Sequence, residues 1–329
     1  MKPSAAVRWR VRADDGECRF VLEFNTPVLV GFMNRPTVAP AGTEGVCSPR
    51  FEFVSTPIVR HRVIAKDTWQ LTLAIPAFAR RTLPGQFFMV RIAGANDPLI
   101  GRAFALYDVH DGADGKPEGI SVVYTVKGKF TRALSKCVAG DQVEIWGPLG
   151  NHFSTSPVEH LILVAGGVGQ TPMLTTSLAA LGKRKFGTDV CTEAYAKRVS
   201  LCYGARSREY LAGLPEFQSA CSDVHIATED GSMGVQGRVT EVLVPLLEEN
   251  TSSSKRIVCC GPEPMMRAVS EIAARYGVPC EVSLETPMAC GIGICFTCVA
   301  KVRQDDGEWD YKRTCMDGPI FPADSIVWE

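Results

Sequence analysis

Three thiols lie close together in "CGIGICFTC", residues 290–298: Cys290, Cys295 and Cys298, at the spacing C-x4-C-x2-C. A fourth, Cys315, follows in "YKRTCMDGP". This three-plus-one arrangement is the plant-type pattern for a [2Fe–2S] cluster, in which each iron takes two thiolates. Gly291 and Gly293 suit such a loop. They allow the backbone to curl with positive φ and to aim N–H groups at sulfur, which stabilises a negative cluster. The competing reading is a structural zinc knot. Zinc usually draws its cysteines from two arms of two, an arrangement this loop lacks. Disulfides rank behind both, because nothing here reads as an oxidised framework.

A second candidate site is "LVAGGVGQTPML" (163–174). An apolar strand precedes it and a helix follows. Gly166, Gly167 and Gly169 would let backbone N–H groups approach a phosphate. Thr171 is the expected N-cap, with Pro172 in the first helical turn. The pattern is not the G-x-G-x-x-G dinucleotide fingerprint. It gains weight from "CCGPEPMM" (259–266), where Cys260, Gly261 and Pro262 form a second turn after a later strand. Open parallel sheets bind nucleotides at such strand ends.

These sites need a scaffold, and the chain is long enough for one. It has 329 residues, 46% apolar and 22% charged, with a net charge of −1. That balance supports full cores and gives no sign of nucleic-acid binding or a membrane span. Arg8, Arg10 and Arg12 have no apolar block behind them, so no secretory signal is expected. Among the 13 cysteines, Cys191, Cys202, Cys221, Cys259, Cys260 and Cys280 sit singly in apolar surroundings and read as small buried hydrophobes. An odd count without a signal points to a reducing cytoplasm.

Residues 1–50 read as an N-terminal extension. "ECRFVLEF" could make one strand, and "NRPTVAPAGTEGVCSP" reads as a flexible linker, with Met33 as an alternative start. From 51 to 156, short β-branched and aromatic runs appear at 56–65, 69–75, 86–92, 102–109, 120–126 and 141–150. Six antiparallel strands of this size suggest a small barrel. From 157 to 280 the pattern is strand and helix in alternation, expected as a doubly wound parallel sheet. Its clearest helix opens at Pro264, carries a stripe of Met265, Val269, Ile272 and Tyr276, and stops at Gly277. The stretch 182–198 reads as a surface insertion. Residues 281–329 form the cysteine-bearing segment. His61, His110, His152, His160 and His225 are scattered, and no nucleophile-and-base spacing stands out, so no acid–base chemistry on a substrate is expected.

In order, "RAFALYD" (102–108), "VYTVKGKFT" (123–131), "GPLGNHF" (147–153), the glycine turn, "CGPEPM" and "ETPMACGIGICFTC" (285–298) resemble the ferredoxin–NADP reductase superfamily. Within it they are most similar to the family of electron-transfer subunits of type-B dihydroorotate dehydrogenase. The resemblance covers about 53–329. It implies FAD on the barrel, held by Arg102, Ala103, Phe104 and Ala105 and by Val123, Tyr124, Thr125, Phe130 and Thr131. Arg102 would pair with the pyrophosphate, and Phe104 and Tyr124 would flank the flavin. NAD would lie over Gly166, Gly167 and Gly169 and near Cys260, Gly261 and Pro262. The chain departs from the family where Ala105 replaces a serine, and where Phe130 stands in place of a glycine and threatens to crowd the phosphate.

The resemblance further implies electron transfer from an FMN-containing dihydroorotate dehydrogenase catalytic subunit, through a [2Fe–2S] cluster and FAD, to NAD+ in pyrimidine biosynthesis. The implied assembly is a heterotetramer of two of each subunit. Two alternatives stand beside it: a stand-alone NAD(P)H reductase feeding an oxygenase, hydrogenase or ferredoxin, and a zinc-knot interaction module on a degenerate reductase scaffold.

Overall fold

The computed structural model describes residues 8–14, 17–23, 51–187, 193–249 and 254–328. Met1–Pro49 and Arg50–Glu329 are separate units. In the first, β1 (Arg8–Asp14) and β2 (Glu17–Glu23) pair antiparallel. The sequence suggested a single strand there. The linker reading for 34–49 and the Cys191 reading lie outside the described residues.

The second unit begins with six strands: β3 (Glu52–Ala65), β4 (Thr68–Ala74), β5 (Phe87–Ile92), β6 (Arg102–Asp111), β7 (Pro117–Thr125) and β8 (Gln142–Leu149). They close into an antiparallel barrel in the order β3-β4-β7-β6-β5-β8. Period-two patterning drives closure. On β8, Val143, Ile145, Gly147 and Leu149 are buried while their neighbours are not. Leu71, Phe88, Val90, Leu106, Ile120 and Val122 fill the interior at 0–1% exposure. Each contributes roughly 1.5–3 kcal/mol by leaving water. Short helices α1 (Pro76–Arg81) and α2 (Lys129–Leu134) sit in the connections.

The α/β part comprises β9 (Val158–Gly166), α3 (Met173–Ala180), β10 (Ala196–Ala205), α4 (Leu214–Ala220), β11 (Asp223–Thr228), β12 (Val235–Gln236), α5 (Thr240–Glu248), β13 (Lys255–Cys260), α6 (Glu263–Tyr276) and β14 (Cys280–Ser283). The sheet order is β12-β11-β10-β9-β13-β14-β17. The last member, β17 (Ile320–Pro322), comes from the cysteine-bearing tail and pairs antiparallel with β14. Between them β15 (Val299–Arg303) and β16 (Trp309–Arg313) form a hairpin. The continuous apolar run of β9 is explained by its central place: Leu163 lies opposite Leu201 on β10 and Val258 on β13.

Three local readings change. On α6 the buried stripe is Met266, Val269, Ile272 and Ala273, whereas Tyr276 is 39% exposed and Met265 points elsewhere. Thr171 is no N-cap: its hydroxyl donates back to the Val168 carbonyl at 2.6 Å, closing a 3-10 turn over Gly167–Gln170 before α3 begins. The stretch 182–198 is not wholly a surface insertion, because Phe186, Tyr195 and Ala196 are buried and β10 already starts at Ala196. Apolar residues flanking a polar run obscured that strand start.

Candidate cofactor and electron-transfer site

The four thiols are brought together. Cys298 and Cys315 are buried, with their sulfurs 3.2 Å apart. The β15–β16 hairpin causes this, since it returns Thr314 to donate through its N–H to the Cys298 carbonyl at 2.7 Å. Cys290 and Cys295 complete the group. The Ile292 N–H points at the Cys290 sulfur at 3.4 Å. Cys295 is exposed, and its thiol is pulled down to about 6 by hydrogen bonding to Thr297 first, then to Cys290. Burial instead pushes the Cys315 thiol up to about 12, with neighbouring Cys298 adding to the rise.

The glycines in the loop have distinct tasks. Gly291 has φ +71, and a Cβ there would come within 2.5 Å of Met89 Cγ and 3.0 Å of Leu149 Cδ1. Gly293 has φ +80, and a Cβ would meet Met316 Cγ at 2.7 Å. The loop is therefore packed directly on the barrel wall. Beneath it, Phe87, Met89, Leu149, Cys298 and Cys315 form one apolar cluster, which Ala103 and Trp146 also touch. Met89 is opposite Ala103 in the β5–β6 register, so the thiols lie one strand from the Arg102–Ala105 segment. Outward, Ile294 is 74% and Phe296 64% exposed, with Met316 beside them. Among the described residues no three His, Cys, Asp or Glu side chains converge on one metal-sized point. A dinuclear cluster asks instead for thiolates in pairs, and the chemistry of this four-thiol set fits it.

On the barrel, Arg102 is exposed and forms no ion pair among the described residues. Its Nη1 donates only to the carbonyls of Ile100 and Gly101. The guanidinium stands 6.0 Å from the Phe130 ring centroid. An unneutralised fork of this kind suits the pyrophosphate of a dinucleotide. The Phe130 ring is 1% exposed and packs in the core, 6.2 Å from the Phe104 ring. Thr131 Oγ1 accepts the N–H groups of Lys127 (2.9 Å) and Gly128 (3.1 Å) and so shapes the turn. Phe104 and Tyr124, expected as flavin-flanking faces, are both buried with ring centroids 5.4 Å apart. Val123 is buried beside them, while Ala103, Ala105 and Thr125 are partly exposed. The Tyr124 hydroxyl meets His61 Nε2 at 2.8 Å, and His61 Nδ1 lies 2.8 Å from the Cys137 carbonyl. Burial lowers the His61 pKa, so the neutral ring donates from Nδ1 and accepts from Tyr124 at Nε2.

The glycine turn lies between β9 and β13, where the sheet order reverses and such folds hold nucleotides. Two of its glycines also serve packing. A Cβ on Gly169 would fall 2.2 Å from the Cys260 carbonyl oxygen, and one on Gly166 would fall 2.5 Å from Met265 Sδ. Those two glycines serve the close approach of β13 and α6. Gly167, with φ +54 and open space around it, is the one facing outward. Gly261 packs against Gly166 and Met265, with Pro262 exposed beside it. Burial pushes the Cys260 thiol up to about 12 and Cys280 to about 12, and Cys221 to about 11, so these remain neutral packing groups.

The sequence missed one alignment. His110 Nε2 is 2.6 Å from Ser121 Oγ, and His110 Nδ1 is 4.0 Å from Asp108 Oδ2. Ser121 is 0% exposed and shares its hydroxyl with Thr72 and Gln70, so it cannot meet a substrate.

Three family descriptions match consecutive parts of the chain: an oxidoreductase FAD-binding domain at residues 55–153, an oxidoreductase NAD-binding domain at 163–271, and the iron-sulfur cluster binding domain of dihydroorotate dehydrogenase B at 285–327. The chain is thus an oxidoreductase subunit that binds FAD, NAD and an iron–sulfur cluster. A solved structure of NADH-dependent reduced ferredoxin-NADP oxidoreductase, from a study of flavin-based electron bifurcation, is 28% identical with a TM-score of 0.68, covering 83% of this chain and 90% of that one. The dihydroorotate dehydrogenase B (NAD(+)) electron transfer subunit of Desulforamulus reducens is 34% identical over 81% of this chain and 95% of its own. Its counterpart from Geobacillus thermodenitrificans is 36% identical over 82% and 96% respectively. With full-length relatives at this identity, and with the thiol loop, barrel arginine and glycine turn all in place, the chain belongs to the family of dihydroorotate dehydrogenase B electron transfer subunits.

Proposed function

We propose that this chain connects a dihydroorotate-oxidising, FMN-containing catalytic subunit to NAD+ in pyrimidine biosynthesis, in the reducing cytoplasm, as two copies of each subunit. The observation that carries the reading is the docking of the thiol loop on β5, one strand from Arg102–Ala105. When bound, FAD supplies exchange between a two-electron hydride carrier and a one-electron centre, which is what an NAD-linked chain with an iron–sulfur cluster requires.

The residues have separable tasks. Cys290, Cys295, Cys298 and Cys315 hold the cluster. Arg102 anchors the FAD pyrophosphate, with Thr131 shaping the adjoining turn and Phe104, Val123 and Tyr124 forming a rigid floor. Ala103, Ala105 and Thr125 line the flavin face, and Ala105 offers no hydroxyl there. Gly167 gives NAD an open backbone amide, while Gly166, Gly169, Cys260, Gly261 and Pro262 build the crevice. FAD falls to the 51–156 part, NAD to 157–280 and the cluster to 281–329. Around the cluster, exposed Ile294, Phe296 and Met316 make an apolar rim against which the catalytic subunit docks.

Reconstitution tests this directly. The catalytic subunit is assayed for dihydroorotate-dependent NAD+ reduction with and without this chain. NADH formation should appear only with it. Formation without it removes the proposal. Reduction of ferredoxin in place of the catalytic subunit favours the stand-alone reductase, the reading supported by the 28% identical neighbour.

A further inference from the structure

Trp146 on β8 touches both sides of the electron path. Its Nε1 donates to the carbonyl of Cys290 at 2.8 Å, across 144 positions of sequence. The far edge of the same ring rests on Gly101, where a Cβ would come within 3.0 Å of Cη2. Gly101 immediately precedes Arg102. Phe53 stacks on the indole, with centroids 5.7 Å apart and planes 26° from parallel. Phe53 itself is 59% exposed, so it acts as a cover between the indole and water. Met89, the residue under Gly291, is the register partner of Trp146 on β5.

We propose that Trp146 is a positioning residue that sets the spacing of the thiol loop from the flavin-bearing strand. An indole suits the task, because it is flat, has two side-chain torsions and carries a single directed donor. The loop needs such a tie. Residues 294–297 are exposed, and the other polar ties to the loop backbone fall beyond Cys290, from Arg313 Nη1 to the Gly293 carbonyl at 3.0 Å and from the Thr314 N–H and hydroxyl to the Cys298 carbonyl at 2.7 and 3.1 Å. Losing one neutral hydrogen bond shifts a docked–undocked equilibrium by about two- to twelvefold. No other described side chain both bonds the Cys290 backbone and abuts Gly101 among the contacts above.

This inference rests on FAD lying beside Arg102 and the cluster lying on the loop. The test compares full-length wild type with Trp146→Phe, which keeps an aromatic ring and loses the donor. Deuterium uptake at amides 290–298 is measured first, in the cluster-free form of both proteins, so that cluster loss by the variant does not hide the result. Uptake should rise about two- to twelvefold in that segment alone. Holoproteins are then mixed with NADH, and the ratio of cluster-reduction rate to flavin-reduction rate is followed. That ratio should fall by a similar factor. Unchanged uptake, or an equal slowing of both rates, overturns the positioning role. Wild-type protein lacking iron or flavin instead overturns the functional reading on which it depends.

Discussion

Replacing Gly291 by alanine probes the contact that joins the thiol loop to the barrel. Two costs add. At φ +71 a side chain pays for left-handed backbone, about 1–2 kcal/mol. The new methyl then meets Met89 Cγ at 2.5 Å and Leu149 Cδ1 at 3.0 Å. Met89 is 0% exposed and cannot swing away, and overpacking of an enclosed site costs about 1–3 kcal/mol. The sum is about 2–5 kcal/mol. Gly307, in the β15–β16 turn, supplies the control. It also has positive φ, +86, but nothing lies within 4 Å of its Cβ position. Gly307→Ala should therefore cost only the backbone part. Urea unfolding of the two cluster-free variants separates the costs, and iron content of the same proteins after anaerobic assembly reports the site. Gly291→Ala should be the less stable by about 1–3 kcal/mol and should hold less iron. Equal stabilities and equal iron would refute the packing of this loop on Met89.

Further outcomes follow from single residues. Arg102→Ala removes a charge-assisted contact of about 1.5–3 kcal/mol, so FAD dissociation measured by fluorescence should strengthen roughly 10- to 150-fold; full flavin retention on dilution would show the pyrophosphate elsewhere. Cys295→Ser should strip iron and sulfide while FAD content stays at the wild-type level, and persistent iron at wild-type stoichiometry would remove Cys295 from the ligand set. His160 is 3% exposed, 2.7 Å from Ser200 Oγ, and burial lowers its pKa to about 4 from 6.5. The unfolded chain therefore takes up the proton first, and stability present above pH 6.5 is lost as pH falls towards 4. The loss is about 3 kcal/mol. His160→Asn should flatten that slope in chemical unfolding at pH 4–7, and an unaltered slope would assign it to other groups.

The chemistry was most legible where spacing alone constrains it. C-x4-C-x2-C pointed to an iron–sulfur cluster because a short loop can present three thiolates to only a few centres. Barrel strands showed through short β-branched and aromatic runs, and the parallel strand β9 through its unbroken apolar run. What stayed hidden depended on contacts distant in sequence. Gly166 and Gly169 read as phosphate glycines, yet Met265 and the Cys260 carbonyl, about a hundred positions on, occupy the space their missing side chains leave. Thr171 looked like a cap because its type fits, but the 3-10 turn before it captured its hydroxyl. The tail read as a separate segment, whereas β17 completes the nucleotide-binding sheet beside β14. Trp146 carried one usable signal, a large aromatic just before "GPLG" at a strand end, but its partner on the cysteine loop could only be seen in three dimensions.

The most direct measurement is the cofactor content of anaerobically purified protein together with its spectrum after NADH addition. One FAD with two iron and two sulfide per chain is expected, with a reduced-cluster paramagnetic signal growing in as the flavin band bleaches. Zinc in place of iron, or a flavin that bleaches while no paramagnetic cluster signal ever develops, would contradict electron passage between the thiol loop and the barrel.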